Sequence, residues 1–330
     1  MESSFQRKLY IVMYHYVRDL ANSRYPGIKG LDIDLFRQQI DFLDNNFKII
    51  GIEGLYSTPF PISDNVDYEK DYALLTFDGG YIDHYTNVFP ILAAKGLPGF
   101  FSMPGKILKE GKVLDVNKIH FLLASVSISQ LKEKIFSLLD KYRGREFEIP
   151  ENCEIYKELA VSNRFDNEDV VFIKRLLQHK LEERLRNLIT DSLFMEFVPI
   201  SEIAFSKELY MSMDQIKLMK KHGMYFGIHG YDHYWLGLMD KEKMQADINQ
   251  ALDVFDEVID RDNWIMCYPY GSYNAETLAF LEGNGCSFGF TTNVAVAKLP
   301  TDRDLELPRL DTNDFPPKSE NYKTAKIGIA

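Results

Sequence analysis

Polar and titratable side chains follow directly after four predicted strands of this sequence. They are His15 after residues 9–14, Asp78 after 72–77, His229 and His233 after 225–228, and Tyr268-Pro269-Tyr270 after 264–267. In parallel α/β folds, ligands bind beyond the carboxyl ends of the strands. We therefore expect these side chains to converge at one end of a sheet and to form a catalytic or binding site.

The stretch His229-Gly230-Tyr231-Asp232-His233 places two imidazoles four residues apart. If the segment winds one helical turn, both rings lie on the same face, which is a usual arrangement for two ligands of one divalent metal ion. A structural pair is the alternative, because this spacing also arises by chance. The position of the pair after a strand favours a metal site.

Asp78 follows the apolar residues 73–77, so its carboxylate is expected to be partly buried and either paired or functional. An aspartate that caps the turn through Gly79-Gly80 is the alternative. His15, between two tyrosines, can also be a hydrogen-bonded core histidine. The other histidines lack clustered partners and are assigned no role: His84, His120, His179 and His222.

The elements that must position these residues alternate between strand and helix. The predicted strands are 9–14, 72–77, 99–101, 225–228, 264–268 and 288–291, and the predicted helices are 34–47, 83–95, 240–259 and 275–282. Strands that alternate with amphipathic helices indicate a parallel α/β architecture.

Residues 106–210 interrupt this alternation with helical periodicity throughout. One helix is marked by residues 131–142, and a longer one by Ile173, Leu177, Leu181, Leu185 and Leu188. We therefore expect a first part of the α/β domain at 1–105, a helical insertion at 106–210 and a second part at 211–330. The insertion can be a lid, a dimer contact or a plain structural domain. The proline-rich segment from Pro300 is expected to wrap the outside.

The composition of the chain argues against several classes of function. The formal net charge of −11 disfavours binding to nucleic acid and to anionic membrane surfaces. Three cysteines without a disulfide or zinc-knuckle spacing are typical of a reducing compartment. No apolar run has the length of a signal peptide or of a transmembrane segment. The sequence therefore predicts a cytoplasmic protein.

Three motifs together resemble the polysaccharide deacetylases, the NodB-homology carbohydrate esterases. The family motif T-F-D-D-G stands here as Thr76-Phe77-Asp78-Gly79-Gly80, and H-[ST]-x-x-H stands as residues 229–233. Residues 267–274, with Tyr14-His15, are similar to the branch that carries an N-terminal Tyr-His element. The resemblance implies an irregular (β/α) barrel of the polysaccharide deacetylase type with a large helical insertion.

The resemblance also implies the chemistry of the site. A divalent metal, most often zinc, is expected on His229 and His233, where it would lower the pKa of a bound water. Asp78 matches the general base, and His15 matches the group that protonates the departing amine. The backbone N–H of Tyr270 matches an oxyanion donor. Two further residues are expected to orient others: Arg309 for Asp78 and Asp311 for His15.

One expected metal ligand is absent, because the family's metal-binding aspartate falls at Gly79. Three explanations are open. Another carboxylate can replace it, with Asp78 and Asp232 the nearest candidates, while Asp83 is expected to begin the following helix. The site can be weakened or dead. A single Asp-to-Gly change can also have been introduced into an active enzyme. Smaller departures are Gly230 for Ser or Thr and Cys267 for Arg.

We predict a metal-dependent hydrolase that removes an N-acetyl or N-formyl group from a sugar, and the missing carboxylate at Gly79 can impair its activity. A nucleotide-linked or lipid-linked precursor of a surface polysaccharide is the expected substrate, because a cytoplasmic enzyme meets such sugars. The alternative is an inactive protein of this fold that binds carbohydrate. Hydrolysis of a non-sugar amide would keep the mechanism and change the substrate.

Overall fold

A computed structural model describes residues 8–56, 70–298 and 304–328 of the chain. Residues 1–7 of the predicted first segment, and Pro300, lie outside the described residues. Within the described part the strands are β1 (Lys8–Tyr14), β2 (Lys48–Ile49), β3 (Tyr72–Asp78), β4 (Phe100–Met103), β5 (Tyr225–Ile228), β6 (Trp264–Cys267), β7 (Cys286–Phe290), β8 (Ala297–Lys298) and β9 (Leu310–Asp311).

The α-helices connect and cover these strands. In the described residues they are α1 (Ile33–Asn46), α2 (Glu53–Tyr56), α3 (Phe89–Lys95), α4 (Lys106–Lys109), α5 (Asp115–Ser125), α6 (Ile128–Tyr142), α7 (Asn152–Leu159), α8 (Glu168–Arg175), α9 (Glu183–Phe197), α10 (Glu202–Leu209), α11 (Met213–Lys221), α12 (Lys241–Val254) and α13 (Ala275–Glu282). A π-helical turn, His84–Val88, leads into α3. Among these helices, none combines the length and the apolar character needed to cross a membrane.

The strands form one curled sheet in the order β7-β6-β5-β4-β3-β1-β8, and β1 and β3 to β7 pair in parallel. β2 pairs with β3, while β8 and β9 both pair with β1. Every residue of β3 is buried, which explains why its sequence is a nearly continuous apolar run. The predicted parallel α/β architecture is confirmed.

The segment at residues 307–311 joins the two edges of this sheet. Leu307 N donates to Gly289 O at 2.8 Å on the β7 side, and β9 pairs with β1 on the other side. The segment thereby satisfies backbone groups that an open edge leaves unpaired. Leu307, Arg309 and Leu310 are buried, so the expectation that the C-terminal segment wraps the outside is wrong for these residues.

Local side-chain caps begin the helices that return the chain to the sheet. Asp32 Oδ1 accepts from Asp34 N at 3.0 Å at the start of α1, and Asp240 Oδ1 accepts from Lys243 N at 2.9 Å at the start of α12. A capping box at Asn274 begins α13. Short polar side chains at these positions satisfy backbone N–H groups that have no intrahelical partner.

The chain divides into two compact units. Residues 20–29 and 112–206 form one unit, and residues 1–19, 30–111 and 207–330 form the other. The first unit contains α5 to α9 and the first part of α10, so the helical character predicted for this region is present. The expected long helix over residues 173–188 is wrong, because Leu181 has an extended ψ of 149° between the π turn that follows α8 and the start of α9. Leu181 and Leu185 are both buried, so the apolar spacing continues across the break.

Candidate active site

Asp78, the last residue of β3, lies at the centre of the site and is 1% exposed. Its Oδ1 accepts hydrogen bonds from Ser102 Oγ at 2.8 Å, from Cys267 Sγ at 3.3 Å and from Arg309 Nη1 at 3.0 Å. Arg309 Nη2 contacts the second oxygen, Oδ2, at 2.8 Å. The ends of β4 and β6 and the segment at 307–311 therefore all meet at this carboxylate.

Arg309 is as deeply buried as Asp78, with a side chain that is 1% exposed. Burial by itself would raise the pKa of Asp78, but Arg309, His229 and His15 outweigh it and hold that pKa well below its usual range. Arg309 Nη1 also donates to Thr76 Oγ1 at 3.1 Å, and its Nε donates to Thr291 O at 2.8 Å. The site thus contains an ionised carboxylate with a fixed guanidinium counter-ion.

His15 follows β1 at the same end of the sheet and is accessible to solvent. Partial loss of hydration lowers the pKa of His15, while Asp78 and Asp311 raise it and Arg309 lowers it further. Asp311 acts on this imidazole through its charge, and its Oδ1 accepts a hydrogen bond from Asn313 N at 2.8 Å. The structure therefore places Asp311 near His15, as an electrostatic neighbour.

The turn after β3 holds the backbone around His15. His84 Nε2 donates to His15 O at 2.9 Å, since a carbonyl oxygen can only accept. Asp83 forms an ion pair with Arg18, with Oδ2 to Nε at 2.7 Å, and makes no capping hydrogen bond to the helix that it precedes. The sequence analysis missed His84. Asp83 stands at the start of this helix, as expected, and its side chain pairs with Arg18.

His229 and His233 come together, with ring centroids 4.6 Å apart and an interplanar angle of 79°. The expected helical turn is wrong, because the segment is an irregular loop in which Gly230 and His233 have positive φ values of 68° and 59°. The two imidazoles therefore meet through a loop with two left-handed residues.

Asp247 of α12 shapes this loop. Its Oδ1 accepts from Tyr231 N at 2.8 Å and its Oδ2 accepts from Asp232 N at 2.9 Å, between the two histidines. A Cβ at Gly230 would lie 2.7 Å from Asp247 Oδ1, which explains why a glycine stands at this position. The sequence analysis missed Asp247. The sequence feature that could have revealed Asp247 is an acidic residue on the apolar face of a helix, among Met244, Ile248 and Ala251.

His229 is held in one tautomer. Its Nδ1 donates to Cys267 O at 2.7 Å, which leaves the lone pair of the neutral ring on Nε2. Burial lowers the pKa of His229 to about 4, against the opposing effects of Asp78 and of the Cys267 carbonyl. His229 is therefore neutral near neutral pH and can donate its Nε2 lone pair to a metal ion.

Tyr270 lies in a short 3-10 turn, Pro269–Gly271, directly after β6. Its backbone is left-handed, with φ of 59°. The ring packs edge-on against His233 at 4.7 Å and stacks on Trp235 at 4.7 Å with an interplanar angle of 12°. The residue predicted to donate its backbone N–H to an oxyanion therefore lies beside the histidine pair.

Part of the chain is similar to known polysaccharide deacetylases. A family model described as polysaccharide deacetylase matches residues 195–289. YxkH of Bacillus subtilis (strain 168), named as a candidate polysaccharide deacetylase, is 31% identical over 88 residues, which are 27% of this chain and 32% of that protein. Both matches relate part of the chain to the polysaccharide deacetylases. The sequence match spans about a third of the length of this curated relative.

Two solved structures share the fold over nearly the whole chain. Deacetylase PplD of Streptococcus pyogenes, in complex with acetate, has a TM-score of 0.53 at 18% identity and covers 97% of both chains. IcaB from Ammonifex degensii has a TM-score of 0.53 at 17% identity, over 97% of this chain and 98% of that chain. The predicted deacetylase-type barrel is confirmed.

At Gly79, where the family motif has a metal-binding aspartate, the structure has no room for a side chain. A Cβ there would lie 2.6 Å from Tyr81 Cζ and 2.8 Å from Tyr81 Oη, and φ is +103°. The Tyr81 ring is buried and stacks on Tyr16 with centroids 4.1 Å apart. The backbone and Tyr81 are both adapted to glycine, so this position does not fit the metal-binding residue of the family.

The predicted substitutes for this ligand are engaged elsewhere. Asp232 forms an ion pair with Lys106 of α4. Asp78 uses both oxygens to bind Arg309. The two histidines suit a divalent ion, but the family's full set of two histidines and the aspartate at position 79 is not present.

We predict that Arg309→Met destabilises the protein by about 3–5 kcal/mol, because it leaves a buried carboxylate without its counter-ion. The folded-state pKa of Asp78 is depressed, so the pair stabilises the protein above about pH 4 and this contribution is lost as pH falls further. Urea unfolding of both proteins measures the difference. Arg261→Met, in a surface pair with Asp253 and Asp256, is the control and should cost about 1 kcal/mol or less. Equal losses of stability in Arg309→Met and Arg261→Met would contradict the prediction.

We predict that Asp247→Asn changes how stability depends on pH. Burial raises the pKa of Asp247 to about 6, against the hydrogen bonds from Tyr231 and Asp232. Its carboxyl therefore favours folding below about pH 4, and this contribution, roughly 3 kcal/mol, is lost as pH rises through about 6. The stability of the wild type relative to Asp247→Asn should fall over this range in urea unfolding. Parallel curves for the two proteins would rule out this account of Asp247.

We predict that Gly79→Asp lowers stability and adds no metal site. The positive φ alone costs about 1–3 kcal/mol, and displacement of Tyr81 adds to it. Gly223→Asp is the matched control, because φ there is +84° and nothing lies within 4 Å of an added Cβ. Thermal unfolding should show the larger loss at residue 79. A loss no greater than that of the control, or a newly gained metal in elemental analysis, would show that an aspartate fits.

Proposed function

We propose that this protein hydrolyses an N-acyl group, acetyl or formyl, on an amino sugar. The observation that supports this best is the buried Asp78–Arg309 ion pair, in which Asp78 lies next to His15 and His229 at the carboxyl ends of parallel strands. The match of residues 195–289 to the polysaccharide deacetylase model and the similarity to YxkH support the same reaction class.

His15 is best suited to carry the proton. Asp78 is ionised, as a general base must be, but its depressed pKa makes it a weak proton acceptor near neutral pH. The imidazole of His15 is neutral there, because its own pKa is lowered. Asp78 and Asp311 stabilise the protonated ring, so His15 can take a proton from the attacking water and return it to the departing amine.

Tyr270 and the histidine loop complete the proposed arrangement. The backbone N–H of Tyr270 is the proposed donor to the oxyanion that forms when water attacks the amide carbonyl. Its left-handed backbone and its ring contacts with His233 and Trp235 hold it in one conformation. A divalent ion at His229 and His233 would lower the pKa of a bound water and polarise the carbonyl.

A small activated sugar is the proposed substrate. A nucleotide-linked or lipid-linked sugar is expected for a cytoplasmic enzyme, and the cytoplasmic location is part of the proposal. Detection of the protein in a periplasmic or extracellular fraction would remove this basis. A polysaccharide, rather than an activated sugar, would then become the expected substrate.

Acetate release from N-acetylglucosamine, supplied free, nucleotide-linked and as an oligomer, tests the reaction. We expect the highest kcat/KM for the nucleotide-linked form, rising with pH through a pKa below about 6.5 as His15 loses its proton. His15→Ala should lower kcat by about 10²–10⁴-fold. The control His222→Ala, at an exposed helix end, should leave it unchanged. The proposal fails if no acetate or formate appears from any N-acyl sugar, or if both variants behave alike.

The second candidate is carbohydrate binding without hydrolysis. Tyr81 favours it, because its ring occupies the space that the family's metal-binding aspartate would need. This candidate predicts sugar affinity in calorimetry that His229→Ala and chelators leave unchanged. Turnover by the wild type would exclude it.

A further inference from the structure

The π-helical turn that follows β3, His84–Val88, holds the backbone of the segment after β1. Single turns of this kind are rare and occur frequently at functional sites. His84 Nε2 donates to His15 O at 2.9 Å, and Asn87 Nδ2 donates to Val17 O at 2.8 Å. The chain at and just beyond His15 is therefore fixed at two points by one turn.

The imidazole of His15 depends on this support. It is accessible to solvent and makes no hydrogen bond with the residues that the structure describes. Its placement beside Asp78 and Asp311, the two carboxylates that stabilise the protonated ring, therefore follows from where the backbone of His15 is held. Strand pairing fixes this backbone up to Tyr14, and the π-helical turn fixes it from the next residue onward.

His84 is fully buried among aromatic rings. Its ring centroid lies 5.7 Å from that of Phe77, 5.5 Å from that of Tyr81 and 5.6 Å from that of Phe101. Burial lowers the pKa of His84 to about 4, so the ring is neutral near neutral pH. The His15 carbonyl can only accept, which places the hydrogen of the neutral ring on Nε2.

Packing alone does not explain a histidine at this position. In the described part of the chain, the buried Nδ1 of His84 has no hydrogen-bond partner, and such a group destabilises a folded protein. A phenylalanine would offer a similar ring to the surrounding aromatic residues without this cost. What phenylalanine lacks is the N–H that reaches the His15 carbonyl.

We propose that His84 is a positioning residue for His15. Its Nε2–H holds the His15 carbonyl, and this contact sets the imidazole beside Asp78 and Asp311. His84 itself touches no substrate and transfers no proton. The inference rests on the proposed function, in which His15 carries the proton of the hydrolysis, and it names the group that keeps His15 in place.

Two variants of residue 84 separate the hydrogen bond from the packing. His84→Phe keeps an aromatic ring without a donor, whereas His84→Gln offers an amide N–H to the same carbonyl. NMR of protein labelled with ¹⁵N-histidine measures the pKa of His15 without any assay of activity, and His15→Ala identifies its signal. We expect His84→Phe to raise this pKa towards its ordinary value of about 6.5, because the ring loses the surroundings that lower it. His84→Gln should leave it lowered.

Kinetics with the N-acyl sugar that the wild type hydrolyses best give the second readout. His84→Phe should lower kcat by about 10–100-fold with little change in KM, because a displacement of about 1 Å at the reacting groups can cost about 100-fold. The pKa of its kcat/KM profile should rise with that of His15, and His84→Gln should restore most of the rate. Thr86→Ala is the matched control on the same turn. The Thr86 hydroxyl donates to Ile82 O, so this variant should behave as the wild type.

Urea unfolding of the same variants measures any loss of stability. If His84 only supports the fold, His84→Phe lowers stability and leaves the pKa of His15 and kcat unchanged, and this result overturns the inference. Asn87→Ala provides a second test should His84→Phe not fold. Without the Asn87 contact to Val17 O, the pKa of His15 should rise by a smaller amount, and no rise overturns the inference.

The two proposals for this site can fail separately. If the protein releases no acetate or formate while His84→Phe raises the pKa of His15, His84 places His15 and the hydrolytic function is excluded. If the wild type releases acetate and His84→Phe leaves the pKa of His15 or kcat unchanged, the hydrolytic function stands and the positioning role of His84 is excluded.

Discussion

The buried ion pair between Asp78 and Arg309 is the interaction on which the rest of the site depends. Two opposite charges, each 1% exposed, are stable together only because every oxygen and nitrogen has a partner of good geometry. Arg309 reaches Asp78 from a segment 231 residues further along the chain. That segment also joins the two edges of the sheet, so closure of the barrel and ionisation of Asp78 depend on the same few residues.

At two positions where this sequence has glycine and the family motifs have a larger residue, a neighbouring side chain occupies the space that the larger side chain would need. Tyr81 lies where a side chain at Gly79 would be, and the Asp247 carboxylate lies where a side chain at Gly230 would be. In each case the glycine also has a positive φ, which favours the residue without a Cβ. The structure around both positions is therefore consistent with glycine.

Periodicity predicted the strands well and the irregular segments poorly. The strand at residues 72–77 is visible because burial on both faces demands a continuous apolar run. The helical turn over residues 229–233 was wrong, because hydrogen bonds from the distant Asp247 decide that backbone. The long helix through Leu181 was wrong because apolar spacing records which residues are buried and does not show where an extended ψ breaks the helix.

The sequence by itself determined the parallel α/β class, the strand ends and the chemistry-bearing residues that follow them, His15, Asp78, His229 and His233. These depend on local patterns of apolar and polar residues, which can be read without any contact. Only the tertiary structure decided which groups meet there. Ser102, Cys267 and Arg309 gather on one carboxylate because parallel strands bring distant residues to the same edge. The charge of Asp78 and the tautomer of His229 follow from those contacts.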